Sequence, residues 1–353
     1  MRHFPAVTRA FSALTILIVG CTSGESRQNL TGAGATFPYP LYSKWFSDYA
    51  AKTGVQINYQ SIGSGGGVRQ ISEGTVDFGA TDGPMSDDEL RRAKGGRIMH
   101  FPTVGGAVAV TYNVPGLQAP LRLDGRTIAD VFLGKITRWN APQIAALNPG
   151  VRLPATDILV VHRSDGSGTT YVFTDYLTTV SRDWAAGPGR GKEVPWPTGL
   201  GAKGNEGVAG QVKQTPGAIG YVELAYATQN RLPTAAIKNA AGNFVQPSIE
   251  STRAAMASVA GRLPPDTDYR ISIVNPPGAD AYPIASLTWL LVYEQQTDPA
   301  KGRTLRDFLK WALTEGESQA AALEYAPLPQ DMANRLVQRL DSLKIGAAVP
   351  AGT

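Results

Sequence analysis

The segment Arg163-Ser-Asp-Gly-Ser-Gly-Thr169 carries the residue types that bind a small oxyanion. It follows the apolar run Ile158-Leu-Val-Val161 and precedes Thr170-Tyr-Val-Phe-Thr-Asp-Tyr-Leu177. The first reads as a buried strand and the second has helical spacing. A strand, a glycine turn and a helix start together aim unpaired backbone N–H groups at one point. Gly166 and Gly168 allow close backbone approach. Ser167 and Thr169 add hydroxyl donors, and Arg163 adds a permanent cation with a planar donor fork. Asp165 would repel an anion directly, and its place two residues from Arg163 suits it to hold the guanidinium. The competing reading is a plain Gly/Ser turn with a surface ion pair, since short glycine-rich motifs have little specificity alone.

Three further segments repeat the pattern. Leu30-Thr-Gly-Ala-Gly-Ala-Thr-Phe-Pro38 leads into the amphipathic run Tyr42–Ala50, with Pro38 as a helix-start signal that sets Thr36 and Phe37 at its positive end. Ile57-Asn-Tyr-Gln-Ser61 alternates like a strand and ends in Gly63-Ser-Gly-Gly-Gly-Val-Arg-Gln-Ile71, with Ser64 at the turn. Val76-Asp-Phe-Gly-Ala-Thr-Asp-Gly-Pro84 ends a short strand with Asp82 at its carboxyl end. Four such turns point to a convergent anion site. Asp82 supplies an acceptor, which suits an anion that keeps a proton. Phosphate near neutral pH always has a P–OH to donate and sulfate has none, so a buried carboxylate discriminates between them. Asp82 as a cap before Pro84 is the structural alternative.

These segments resemble the periplasmic phosphate-binding proteins of bacterial phosphate ABC importers. The matching residues are Thr31–Pro38, Tyr59–Ser64, Val76–Ala80 with Asp82, and Asp165–Thr169. Phe101–Val104, Leu133–Ile136, Leu147–Gly150 and Gly217–Glu223 also match, so the resemblance runs from about residue 30 to about 340. It implies that phosphate is held by Thr36, Phe37, Ser64, Asp82, Arg163, Ser167, Gly168 and Thr169. The chain departs from the family pattern at Gly65, where a second serine is common, and at Thr81-Asp82-Gly83-Pro84, where Ser-Asp-Ala-Pro is common. His162 and Ser164 stand where Arg and Ala are common.

The elements that must position these residues alternate between strand and helix, which argues an α/β fold with mainly parallel sheets. The resemblance implies a two-lobe periplasmic binding protein fold (type II), a ligand cleft between the lobes and two crossing hinge strands. Lobe one would comprise 29–103 plus 282–345, lobe two 104–281, and 346–353 would form a tail. Gly105–Asn113 and Ile284–Tyr293 read as the crossing strands. The region 187–205 reads as one long loop, and Leu305–Leu313, Glu317–Leu323 and Met332–Leu343 read as helices completing lobe one.

Residues 1–20 read as a lipoprotein signal peptide, with Arg2 and Arg9 before the apolar run Ala10–Val19. That run is too short for a membrane-spanning helix. Ile18-Val-Gly-Cys21 resembles the lipobox of bacterial lipoproteins, which makes Cys21 the lipidated residue and 22–28 a flexible tether. A simple signal peptide with a chance cysteine is the alternative. Cys21 is the single cysteine among 353 residues, so disulfides, cysteine metal clusters and a cysteine nucleophile elsewhere are excluded. The formal charge of +4 includes Arg2 and Arg9, and no basic run exists, which argues against nucleic-acid binding.

Enzyme readings find little support. Of three histidines, His3 lies in the leader, and His100 and His162 form no metal motif. Gly-x-Ser-x-Gly and Walker A patterns are absent. His162 reads as a partly buried structural histidine, with ligand contact beside Arg163 as the alternative, and the tryptophans at 139, 184, 196 and 289 read as core or loop anchors, with stacking platforms as the alternative. The expectation is a monomeric, cofactor-free and metal-free receptor for inorganic phosphate, periplasmic or at the cell surface. Its membrane link would be the lipid anchor alone, and its partners the permease and ATPase subunits of a phosphate importer. A sensing or scavenging receptor and a phosphohydrolase are the alternatives.

Overall fold

Strand β1 (Leu30–Gly34) lies between β2 (Ile57–Ser61) and β3 (Phe78–Thr81), parallel to both. Gly34 is in register with both Ser61 and Ala80, so the carboxyl ends of the three strands are level. The computed structural model describes residues 28–117, 119–260, 263–264 and 267–346. The signal peptide, Cys21, most of its tether and nearly all of the 346–353 tail lie outside the described residues.

The main sheet has two parallel wings joined by antiparallel strands. The order is β2, β1, β3, the strand Ala285–Tyr293, β4 (Ile98–Tyr112), then the strands Ala218–Glu223, Leu159–Arg163 and Leu200–Ala202. In the second wing Leu159–Arg163 is parallel to both neighbours. The long β4 serves both wings: Ile98–Ala107 pairs antiparallel with Ala285–Tyr293, and Val108–Tyr112 pairs antiparallel with Ala218–Glu223. The expectation of mainly parallel sheets therefore holds in each wing and fails at the centre, because the crossing strands run against their neighbours. β4 also begins before Gly105, since the apolar run from Ile98 is buried throughout.

Aromatic residues hold helix α1 (Tyr39–Thr53) to the first wing. Tyr42, Trp45, Phe46 and Tyr49 are buried. Phe46 packs on Phe78 and Phe308, with ring centroids 6.2 and 5.6 Å apart. Helix α2 (Ser64–Glu73) lies over β1 and β3 with Val68 and Ile71 buried. The tryptophans at 139, 184 and 289 are fully buried, as their packing role requires, and His162 stacks on Trp196 at 4.7 Å. His162 Nδ1 also lies 3.0 Å from the carbonyl of Arg163.

Two local expectations need correction. The region 187–205 is not one loop: Leu200–Ala202 is an edge strand and Gly204–Gln214 a helix. The glycines at 199, 201 and 204 masked both, and two of them have positive φ. Glu317–Leu323 is two short 3₁₀ turns, Gly316–Gln319 and Ala321–Leu323, rather than a helix.

Gly67 marks where α2 meets the sheet. A Cβ there would stand 2.5 Å from Gly34 Cα and 2.7 Å from the carbonyl oxygens of Ala33 and Ala80. All three are backbone atoms of the sheet and cannot rotate away. Gly67→Ala should therefore destabilise the protein by about 1–3 kcal/mol, read as a lower melting temperature. An unchanged melting temperature would mean that α2 is not seated on β1 and β3 in this way.

Candidate functional site

All four candidate segments leave carboxyl ends of parallel strands, where open α/β sheets place ligand sites. Thr36 and Phe37 follow β1, Ser64 follows β2, Asp82 follows β3, and Ser167–Thr169 follow the strand that ends at Arg163. The structure brings all eight candidates together in a closed cleft, with Asp82 1 % and Arg163 3 % exposed. Gly168 touches the opposite wall: a Cβ there would lie 2.4 Å from both Asp82 Oδ2 and Ser64 Oγ. The need for glycine at this position comes from closure across the cleft.

The Thr36–Phe37 loop is held by tyrosine hydroxyls. Tyr59 donates to the carbonyl of Ala35 at 2.8 Å and Tyr226 to that of Thr36 at 2.5 Å. Tyr325 donates to the carbonyl of Phe37 at 2.6 Å. In a trans peptide the carbonyl and the next N–H point oppositely. Tyr226 therefore fixes the direction of the Phe37 N–H. The Phe37 ring packs over Gly106 of β4, where a Cβ would meet it at 2.5 Å.

On the facing wall Ser167 caps the helix Gly168–Val180, accepting the Thr170 N–H at 3.0 Å. The N–H groups of Gly168 and Thr169 sit in the first turn, where a helix offers no internal acceptor. Arg163 is gripped in a fork by Asp165, with Nε to Oδ1 at 2.8 Å and Nη2 to Oδ2 at 2.5 Å. Asp165 also accepts the Gly204 N–H at 3.0 Å. Burial alone would raise its pKa, but Arg163 and that N–H outweigh it and hold the carboxyl below the usual range. Asp165 thus fixes the guanidinium, as its spacing suggested.

Asp82 is the acceptor in a wall of donors. Its Oδ1 receives the Thr288 hydroxyl at 2.8 Å and its N–H donates to Ser64 Oγ at 3.1 Å. Ser64 Oγ lies 3.4 Å from Oδ2. Burial pushes the Asp82 pKa up to about 7, against the downward pull of Thr288, Arg163 and Ser64.

Sequence reasoning missed the supporting cast. Thr288, Asn205, Tyr226 and Tyr325 all bond to the candidate residues or their carbonyls. The one available signal was Thr288, a polar residue inside the apolar run Ile284–Tyr293. The departures from the family pattern also find a physical setting. Gly65 donates its N–H to the carbonyl of Gly166 across the cleft at 2.8 Å, and a Cβ there would lie 3.0 Å from Gly166 Cα. A Cβ on Gly83 would lie 2.6 Å from the Tyr171 ring.

A family model described as a PBP superfamily domain matches residues 20–315. A phosphate-binding protein PstS of Xylella fastidiosa (strain Temecula1) is 42% identical, covering 95% of this chain and 97% of that protein. The chain belongs to the PstS family of phosphate-binding proteins. The PstS of Pasteurella multocida is 44% identical over 94% of this chain and 95% of its own length. These PstS relatives are named as binding proteins rather than enzymes. In fold the chain is similar to a periplasmic phosphate-binding protein solved with phosphate, at a TM-score of 0.71 and 22% identity over 90% and 96% of the two chains. It is also similar to a phosphate-binding protein from Stenotrophomonas maltophilia, at 0.70 and 20% over 88% and 93%. Among the described residues no group of three or more His, Cys, Asp or Glu side chains could hold a metal. No helix among them is long and apolar enough to cross a membrane.

The raised Asp82 pKa has a testable sign. An ordinary aspartate loses its proton near 3.8, whereas Asp82 in the folded protein holds it up to about 7. Between those values the folded state binds more protons than the unfolded, so the contribution of Asp82 to stability falls as pH rises. Asp82→Asn removes this slope. In ligand-free protein, the melting temperature of the variant relative to wild type should rise between about pH 4 and about pH 8. A constant difference would mean that Asp82 does not titrate in that window.

Proposed function

We propose that this chain is the substrate-binding component of a phosphate ABC import system, with inorganic phosphate held between the lobes by the eight residues named above. The observation that carries this reading is the Asp82 carboxyl, which is not engaged by a cation, set among the donors of a cleft whose other carboxylate, Asp165, is taken up by Arg163. Dehydrated phosphate would receive bonds from Thr36, Phe37 and Ser64 on one lobe and from Arg163, Ser167, Gly168 and Thr169 on the other. It would return one proton-mediated bond to Asp82. Contacts from both lobes favour the closed form, because only that form satisfies the ligand completely.

The lobes are taken as 29–103 with 282–345, and 104–281. Near the end of the second of these, residues 270–272 touch both sides: Arg270 bonds the carbonyl of Met85 and the carboxylate of Asp87, and Ser272 donates to Asp175. The chain would act as a monomer and deliver phosphate to the permease and ATPase subunits from the periplasm or cell surface. Cys21 would anchor it through lipid, with 22–28 as tether. If so, a labelled fatty acid should be incorporated by wild type and not by Cys21→Ala, which should also leave the membrane fraction. Unlabelled wild type would remove the anchor from this reading.

Calorimetric titration with phosphate and sulfate tests the binding site. Wild type should bind phosphate far more tightly than sulfate. Arg163→Ala should weaken phosphate binding by at least about tenfold, since a buried charged contact loses its partner. Asp165→Ala should weaken it less, by freeing the guanidinium. Asp82→Asn should lower the phosphate-to-sulfate affinity ratio, because its amide can donate to sulfate and no longer repels it. Wild-type-like binding by Arg163→Ala would place the site elsewhere, and an unchanged ratio in Asp82→Asn would take discrimination away from Asp82.

A further inference from the structure

Asn205 lies on none of the four loops that carry the proposed ligands. It opens the helix Gly204–Gln214 and is fully buried. Its carboxamide oxygen accepts the backbone N–H of Glu223 at 2.9 Å. A backbone N–H can only donate, so this bond fixes which end of the amide is oxygen. The NH2 end then serves two hydroxyls, Thr36 Oγ1 at 2.8 Å and Thr169 Oγ1 at 3.1 Å. One belongs to each wall of the cleft.

A hydroxyl has two lone pairs and one proton. Thr36 Oγ1 also accepts the Asn205 backbone N–H at 3.3 Å, and Thr169 Oγ1 also accepts from Arg163 Nη1 at 3.3 Å. Both lone pairs of each hydroxyl are thereby occupied. The one polar capacity left to either is to donate. A hydroxyl free to rotate could instead turn a lone pair toward the anion and repel it.

We propose that Asn205 is a positioning residue that commits the Thr36 and Thr169 hydroxyls to donate to bound phosphate. The inference rests on the phosphate reading above. Because the two threonines come from opposite walls, the commitment is complete only when the cleft closes. Asn205 touches no phosphate itself and acts through the two hydroxyls.

A mutant cycle separates this role from a structural one. Phosphate affinity is measured for wild type, Asn205→Ala, the double variant Thr36→Val/Thr169→Val, and the triple variant. Asn205→Ala should weaken binding by about tenfold in wild type. In the background without hydroxyls it should change affinity by less than about twofold, since nothing is left to orient. Equal losses in both backgrounds would mean that Asn205 only supports the fold, and would overturn the proposal. Thermal melts of the same four proteins guard against a folding defect: Asn205→Ala that melts cooperatively without ligand and binds phosphate with wild-type affinity would overturn the proposal. Wild type that binds no phosphate would sink the functional reading and this inference together, whereas phosphate-binding wild type with additive losses would sink this inference alone.

Discussion

A multiply charged anion taken out of water must find every lost hydrogen bond in the wall that encloses it. An isolated buried charge costs far more than a folded protein has to spare. This constraint explains the layout of the cleft. Arg163 brings the opposite charge, yet it too is buried, so Asp165 grips it in a fork and Gly204 steadies Asp165. The remaining compensation comes from backbone N–H groups and hydroxyls, dipoles whose directions are set before a ligand arrives.

Those directions depend on partners outside the ligand shell. Three tyrosines hold the carbonyls of Ala35, Thr36 and Phe37, and Ser167 holds the first turn of its helix. The sheet keeps these parts in register. Gly34, Ser61 and Ala80 lie side by side, so loops from three strands end at one height. β4 carries that order into the second wing, where Leu159–Arg163 delivers Arg163 from the other side.

The candidate loops were legible in the sequence because each carries a local signature, glycine and hydroxyl residues at the end of a strand. The residues that orient them carry none. Thr36 and Asn205 are 169 positions apart, Asp82 and Thr288 206, and Phe37 and Tyr325 288. Tertiary packing alone makes them neighbours. The crossing strands were recognisable as apolar runs, but their antiparallel pairing was not, since a continuous apolar run says nothing of direction. The edge strand Leu200–Ala202 and the start of the next helix were hidden by glycines that serve backbone geometry rather than loop flexibility. Gly199 and Gly204 have φ of +108° and +73°.

Lys192 and Glu89 join the two walls outside the candidate site. The Lys192 ammonium lies 3.1 Å from both Glu89 oxygens at the rim of the cleft, and Glu89 also caps the short helix α3 (Asp87–Arg91) by accepting the Ser86 N–H. Separated, the two walls would show a bare cation on one side and a bare anion on the other. Joined, they cancel, and the rim becomes electrically quieter just where both lobes can be touched at once.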